Sequence, residues 1–255
     1  MSHAIDVIGF PVTALSFREH LDTMAAWAAS RQSRTVCVAN VHMLMEAHAR
    51  PEFGEILRAS DLVTPDGMPL VWMLRKLGAR EQDRVAGMDL LPALCQLAEA
   101  RDLSVYFLGS TPEVLDRMRE RLTREHPRLQ IAGMESPPFR PLTPQEETEQ
   151  IARINASGAH FVMVSLGCPK QERWMHARRG TIQAVMLGLG AAFPVYAGST
   201  SMAPQWMRDA GIEWLYRLLQ EPRRLAGRYL TTNLPFAYLA LRQLATPSPG
   251  KELSA

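Results

Sequence analysis

The 255-residue sequence contains only three cysteines, Cys37, Cys95 and Cys168, and long stretches of chain separate them. No two of them have the short spacing of a zinc site or of a redox-active dithiol. Isolated cysteines with apolar neighbours are typical of a reducing compartment, so we expect no disulfide framework. The first residues include Asp6 and lack a long apolar core, so we do not expect a secretory signal peptide.

The sequence also lacks strong charge bias and a continuous apolar span. Its net charge is +2, which gives no reason to expect a nucleic-acid partner, and its 47% hydrophobic content is that of a globular protein. Residues 180–207 carry no charge, but glycines, prolines and hydroxyl residues interrupt them. Because a membrane-spanning helix needs about 20 predominantly apolar residues, we expect a soluble chain with a buried strand and a glycine-rich loop in this region.

Metal-binding patterns are missing as well. His42 and His48 are six positions apart and do not share one face of a helix. The sequence has no Asp-x-Asp pair, the usual means of holding a divalent ion on a nucleotide diphosphate. We therefore expect no metal and no other cofactor, so that helix ends or arginines would have to meet the charge of a bound diphosphate.

Short apolar runs alternate with longer helical patterns, which predicts an α/β fold with a mostly parallel sheet and helices on both faces. The predicted strands are residues 5–8, 35–39, 62–64, 104–108, 130–133, 161–166 and 184–189. The predicted helices are residues 15–30, 51–60, 68–77, 88–101, 111–126, 143–157 and 170–179.

From Pro204 onward the sequence has helical patterns only. We expect a main domain at residues 1–200, a helical C-terminal appendage at 201–245 and a frayed tail at 246–255. The appendage combines arginines with large apolar side chains. Two interpretations fit this composition: packing against the main domain, or contact of an amphipathic surface with anionic lipid headgroups.

Polar residues and glycines follow several predicted strands, at the edge where a parallel sheet binds its ligands. They are Asn40, Asp66, Gly109, Ser110, Lys170, Gln171 and Gly190. Asp66 lies between Pro65 and Gly67, so it is either a turn residue or a carboxylate presented to a ligand. Gly109 and Ser110 precede a predicted helix and form either a tight turn or a phosphate-binding helix N-terminus.

A set of short motifs occurs in a specific order along the chain. The motifs are Pro65-Asp-Gly67, Arg84-Val-Ala-Gly-Met-Asp89, Phe107-Leu-Gly-Ser110, Gly167-Cys-Pro-Lys-Gln-Glu-Arg-Trp174, Gly188-Leu-Gly-Ala-Ala-Phe193, Ala203-Pro-Gln-Trp206, Glu213-Trp-Leu-Tyr-Arg217 and Glu221-Pro-Arg-Arg224. Each motif alone is weak, but the ordered set resembles the WecG/TagA/CpsF family of bacterial glycosyltransferases. The resemblance extends over about residues 5–230.

This resemblance implies a Rossmann-like domain with a helical appendage. It implies an inverting, metal-independent transfer of a sugar from a UDP-sugar to a lipid-diphosphate-linked sugar, by a protein bound peripherally to the cytoplasmic face of the membrane. The family's proposed general base corresponds to Asp66. Its other substrate-binding positions correspond to Asn40, Arg84, Gln171, Arg217 and Arg224. The sequence leaves assembly into a homo-oligomer open.

The chain departs from this family pattern at Pro194, Met202 and Gly227, where many relatives have Asp, Arg and Arg. The transferred sugar is therefore left open. Two other functions are considered: a non-catalytic nucleotide-binding or scaffolding protein of the same fold, and a dinucleotide-dependent oxidoreductase. The absence of a Gly-x-Gly-x-x-Gly motif with a downstream acid argues against the oxidoreductase.

Overall fold

A computed structural model of the chain describes residues 4–204, 206–207, 211–220 and 222–246, without the side chains at 214, 217, 223–226 and 228–230. The strands are β1 (Ala4–Val7), β2 (Phe10–Thr13), β3 (Arg34–Ala39), β4 (Leu62–Pro65), β5 (Ser104–Gly109), β6 (Gln130–Glu135), β7 (Phe161–Ser165) and β8 (Val185–Gly188). The helices are α1 (Phe17–Ala29), α2 (Val41–Ala49), α3 (Pro51–Arg58), α4 (Met68–Lys76), α5 (Gly87–Ala100), α6 (Pro112–Glu125), α7 (Pro144–Ala156), α8 (Lys170–Ala177), α9 (Ala192–Tyr196), α10 (Glu213–Gln220) and α11 (Pro222–Ala245).

Six strands form one parallel sheet in the order β4-β3-β8-β7-β5-β6. The central strands β5, β7 and β8 are buried along almost their whole length. Continuous apolar strands of this kind need helices on both faces of the sheet. The predicted α/β class is therefore confirmed.

The sheet separates two apolar cores. One core contains side chains of α2, α3, α4 and α8, among them Leu44, Leu57 and Met175. The other contains side chains of α1, α5, α6 and α9, among them Met24 and Phe193. Each helix directs an apolar stripe toward the sheet, and this burial of apolar surface is the dominant favourable contribution to the stability of such a fold.

The first predicted strand forms, but it pairs with β2 in an antiparallel hairpin rather than joining the parallel sheet. Ile8 and Gly9 make the turn with φ values of 48° and 88°, the conformation that a two-residue hairpin turn favours. The sequence pattern did not predict β2, because Phe10–Thr13 is short and an isoleucine at positive φ is unusual. The Thr13 hydroxyl accepts a hydrogen bond from the Val63 amide (3.1 Å), so the hairpin covers the outer edge of β4.

Two helices of the main domain were also absent from the sequence prediction. Helix α2 directly follows β3 and begins at Asn40, whose side-chain oxygen accepts a hydrogen bond from the Met43 amide (3.2 Å). Helix α9 is a short helix after β8. An asparagine next to a strand end is a helix N-cap as readily as a loop residue, and only the tertiary structure distinguishes them.

The C-terminal helix α11 packs on the α2 side of the sheet. Phe236 and Ala240 of α11 are buried in the core that α2 contributes to. Near its end, α11 is held to the hairpin by Gln243, which accepts a hydrogen bond from the Ile8 amide (2.8 Å) and donates one to the Asp6 carbonyl (2.8 Å). Within the part of the chain that the structure describes, no helix is long and apolar enough to cross a membrane.

Candidate active site at the carboxyl edge of the sheet

The neighbouring strands β3 and β8 continue into helices on opposite faces of the sheet. Helix α2 contributes Leu44 to one core, whereas α9 contributes Phe193 to the other. The chain segments after the two strands therefore diverge, and we infer a crevice between Asn40 and Gly190. A crevice of this kind, at the carboxyl ends of parallel strands, is the place where open α/β sheets bind ligands.

Asp66 lies at the carboxyl end of β4, next to this crevice. Its amide donates a hydrogen bond to the Ala39 carbonyl (2.8 Å), which ties it to the end of β3. The preceding Pro65 carbonyl accepts a hydrogen bond from the Val85 amide (2.9 Å). The Pro-Asp-Gly segment is thus held from both sides, and the carboxylate remains partly exposed. The turn at Asp66 is therefore observed, and presentation of its carboxylate to a ligand stays a prediction.

Asn40 and Gly67 are direct neighbours at this edge. A Cβ atom built on Gly67 would lie 3.5 Å from Cβ of Asn40, so the Pro-Asp-Gly turn packs against the cap of α2. Asp66 and Asn40, at the ends of adjacent strands, are consequently brought together, as a shared pocket requires.

Arg84 belongs to the same site because it interacts electrostatically with Asp66. Its guanidinium donates to the carboxylates of Glu213 (3.0 Å) and Asp89 (3.3 Å), and its side chain is 15% exposed. Burial lowers the pKa of Arg84, but the negative charges of Asp66, Glu213 and Asp89 outweigh that effect and raise it overall. A fixed positive charge therefore lies close to the Asp66 carboxylate, and α10 is attached to this site through its first residue, Glu213.

Gln171 lies in the first turn of α8 and packs over the end of β8. Its Nε2 donates a hydrogen bond to Oε1 of Glu172 (2.7 Å), and both side chains are buried. A Cβ atom built on Gly188 would lie 2.8 Å from Nε2 of Gln171, closer than real side chains approach. The Gln171 amide occupies the space that a side chain at Gly188 would need, which explains the glycine at that position of the Gly-Leu-Gly segment.

Gly109 and Ser110 form a tight turn at the end of β5. Gly109 has φ of 108°, and a Cβ atom there would lie 2.3 Å from the Ser165 carbonyl oxygen. The Ser110 amide donates a hydrogen bond to that same oxygen (2.9 Å), and Thr111 provides the N-cap of α6. Because β5 is four strand positions from β4, the turn lies about 19 Å from the Asp66 end of the sheet. The tight turn is observed, and a phosphate seat there stays a prediction.

The remaining predicted residues are dispersed. Lys170 is exposed at the start of α8, and Gly190 lies beside the Gln171 amide. Arg217 and Arg224 belong to α10 and α11, but their side chains lie outside the described part of the structure.

Burial and the negative charge of Glu172 raise the pKa of the Cys168 thiol, so this cysteine supplies no thiolate near neutral pH.

From the sequence, Glu172 was considered only together with Lys170 and Gln171 as part of a binding edge, and Glu213 only as part of a motif. An acidic residue in the first turn of a helix is ordinarily explained by the helix dipole, and neither position has a sequence signal for its actual partner. In the described ranges of the chain, no group of three or more His, Cys, Asp or Glu side chains is placed to hold a metal ion.

The chain is similar to a family model and to a named bacterial relative. A family model described as "Glycosyl transferase WecG/TagA/CpsF family" matches residues 5–249. A relative from Bacillus spizizenii (strain W23) is named N-acetylglucosaminyldiphosphoundecaprenol N-acetyl-beta-D-mannosaminyltransferase. The two chains are 32% identical over 210 residues, which cover 82% of this chain and 79% of the relative.

The contact between Arg84 and Glu213 predicts that Glu213→Gln loosens α10. The charge-assisted hydrogen bond is largely shielded from solvent, so its loss should speed amide hydrogen exchange in residues 213–220 about tenfold. Exchange measured by mass spectrometry tests this. Glu55→Gln, which removes an exposed ion pair with Arg58, should leave exchange of α10 unchanged. Equal exchange of α10 in Glu213→Gln and the wild type would contradict the assignment.

Proposed function

The chain belongs to the glycosyl transferase WecG/TagA/CpsF family, and from this premise we propose that it transfers a sugar from a UDP-sugar to a sugar linked to a polyprenyl diphosphate. The relative's name describes an acceptor of this class, N-acetylglucosamine on diphosphoundecaprenol. The product of this reaction class is a lipid-linked disaccharide, an intermediate of cell-surface polysaccharide assembly.

The mechanism that we propose is based on the position of Asp66 at the end of β4. A direct displacement needs one base that removes the proton from the acceptor hydroxyl as the oxygen attacks the anomeric carbon. Asp66 suits this role because hydrogen bonds around the Pro-Asp-Gly turn fix it at the end of β4, next to Asn40 and Arg84. Attack from the face opposite the leaving UDP inverts the anomeric configuration, so we propose an inverting transfer.

The departing UDP carries additional negative charge, and we propose that arginines stabilise it without a metal ion. Arg84 provides a cation next to Asp66. Arg217 follows Glu213 by four residues, so both positions lie on the same face of α10, and Glu213 contacts the site. Arg224 lies in the first turn of the next helix, whose sequence contains four arginines, Arg223, Arg224, Arg228 and Arg242, and no acidic residue.

Asp66→Asn tests the proposed base. The amide cannot accept the proton, so acceptor-dependent UDP release should fall by about a hundredfold or more, whereas melting temperature and UDP binding should not change. The assay uses a panel of UDP-sugars with and without a short-chain lipid-diphosphate sugar. Asp102→Asn, in an exposed turn, is the control and should keep full turnover.

Two results would overturn parts of this proposal. Wild-type turnover in Asp66→Asn would remove Asp66 as the base. An absence of acceptor-dependent UDP release by the wild type across donors and acceptors would refute the proposed reaction.

We also propose that α11 binds the membrane surface that holds the acceptor. Leu234, Tyr238 and Leu241 follow one another at helical spacing and are each about two thirds exposed. An apolar stripe on a helix whose only charged residues are arginines is typical of a segment that lies on an anionic bilayer. This stripe would leave the protein peripheral and close to its lipid-linked substrate.

A variant with Leu234→Gln, Tyr238→Gln and Leu241→Gln should bind anionic vesicles at least about tenfold more weakly than the wild type, because the apolar area that enters the interface is lost. Sedimentation with vesicles that contain phosphatidylglycerol measures this effect. Phe139→Gln, at a highly exposed aromatic residue outside α11, is the matched control. Undiminished vesicle binding by the triple variant would show that α11 does not contact lipid.

A further inference from the structure

The buried pair of Gln171 and Glu172 has two polar atoms without a hydrogen-bond partner in the described part of the chain, Oε1 of Gln171 and Oε2 of Glu172. Gln171 is 4% exposed and Glu172 is 1% exposed. Gln171 uses its amide nitrogen on Glu172, but its Oε1 is buried and has no hydrogen-bond partner within the described part of the chain. A buried acceptor without a partner is costly, and native proteins rarely retain one without a function.

The unsatisfied oxygen of Gln171 lies at the crevice. Oε1 and Nε2 are 3.4 Å and 3.7 Å from the position of a Cβ atom built on Gly190, and Nε2 is also 2.8 Å from that position on Gly188, further back along the strand. The amide therefore lies over the carboxyl end of β8. This end is one strand from Asn40 and two strands, or about 10 Å, from the Asp66 end. A sugar ring bound at the crevice would therefore lie between the amide and the proposed base.

Glu172 determines which end of the amide faces the crevice. A carboxylate only accepts hydrogen bonds, so it takes the NH₂ group of Gln171 and leaves the carbonyl oxygen for another donor. Burial raises the pKa of Glu172, and hydrogen bonds from Gln171 and from its own backbone oppose this increase. The Gln171 amide donates to Oε1 of Glu172, whereas Oε2 of Glu172 has no hydrogen-bond partner within the described residues.

We propose that Glu172 is a positioning residue that holds the Gln171 amide so that Oε1 accepts a hydrogen bond from a hydroxyl or N–H group of a bound sugar. This inference rests on the proposed glycosyl transfer. The donor sugar and the acceptor sugar both carry such groups, and kinetics separate the two sources. If the donor sugar is held, loss of the contact raises KM for the UDP-sugar and leaves KM for the lipid-linked acceptor unchanged. If the acceptor sugar is held, loss of the contact raises KM for the lipid-linked acceptor and leaves KM for the UDP-sugar unchanged.

A double-mutant cycle with Gln171→Met and Glu172→Met tests the inference, because methionine has a similar length and no strong acceptor. Each single variant should lower kcat/KM by about tenfold or more. Because Glu172 acts through Gln171, the double variant should be no slower than Gln171→Met alone. Glu172→Gln retains a carbonyl acceptor for the Gln171 amide, and its activity should stay within about threefold of the wild type.

Several results would overturn the inference. If the two effects multiply in the double variant, Glu172 has a separate structural role. If Glu172→Met does not fold, Glu172→Asp provides the test, because it keeps the charge but withdraws the carboxylate by one methylene group. A folded Glu172→Asp protein with about tenfold lower kcat/KM supports the inference. Full activity of this variant refutes it. Failure of the wild type to transfer any sugar would refute the proposed function and this inference with it. Normal wild-type turnover with multiplicative effects refutes the inference alone.

Discussion

Parallel pairing of six strands places all their carboxyl ends at one edge of the sheet, and the candidate site is built from the residues directly after those ends. The spacing between neighbouring strands, about 4.8 Å, sets the distances between the side chains that each strand end presents. Asp66 and Asn40 follow adjacent strands, and the Gln171 amide covers the end of the next one. Helices that leave β3 and β8 toward opposite faces then open the crevice between them.

The helices after Pro204 are attached to this framework at two separate places. At the site, Glu213 of α10 contacts Arg84. At the far end, Gln243 of α11 contacts Asp6 and Ile8 of the hairpin, and Phe236 is buried against α2. Helix α10 is thus attached next to Asp66, the proposed base, through Arg84. Helix α11, which we propose to bind lipid, is attached to the hairpin and to α2. A domain boundary near residue 200 remains a prediction, because packing continues across it.

The alternation of strands and helices could be predicted from the sequence, because continuous apolar runs and helix caps are local signals. The short motifs of the sequence also contain Asp66, Arg84 and Gln171, which the structure places near one another at the candidate site. The hairpin was missed because β2 is short and its turn has an unusual residue. The contacts of Arg84 with Glu213 and of Gln171 with Gly188 join distant segments, and no local pattern encodes such pairings. The positioning role that we propose for Glu172 was not predicted either, because it acts through the orientation of the Gln171 side chain.

The central claim is that Asp66 activates the acceptor hydroxyl for direct displacement of UDP. The most direct test is the anomeric configuration of the purified lipid-linked product, measured by NMR from the one-bond carbon–proton coupling at the newly linked sugar. A single displacement from an α-linked UDP-sugar predicts a β-linked product. An α-linked product would indicate retention of configuration and would contradict a mechanism with one carboxylate acting as the base.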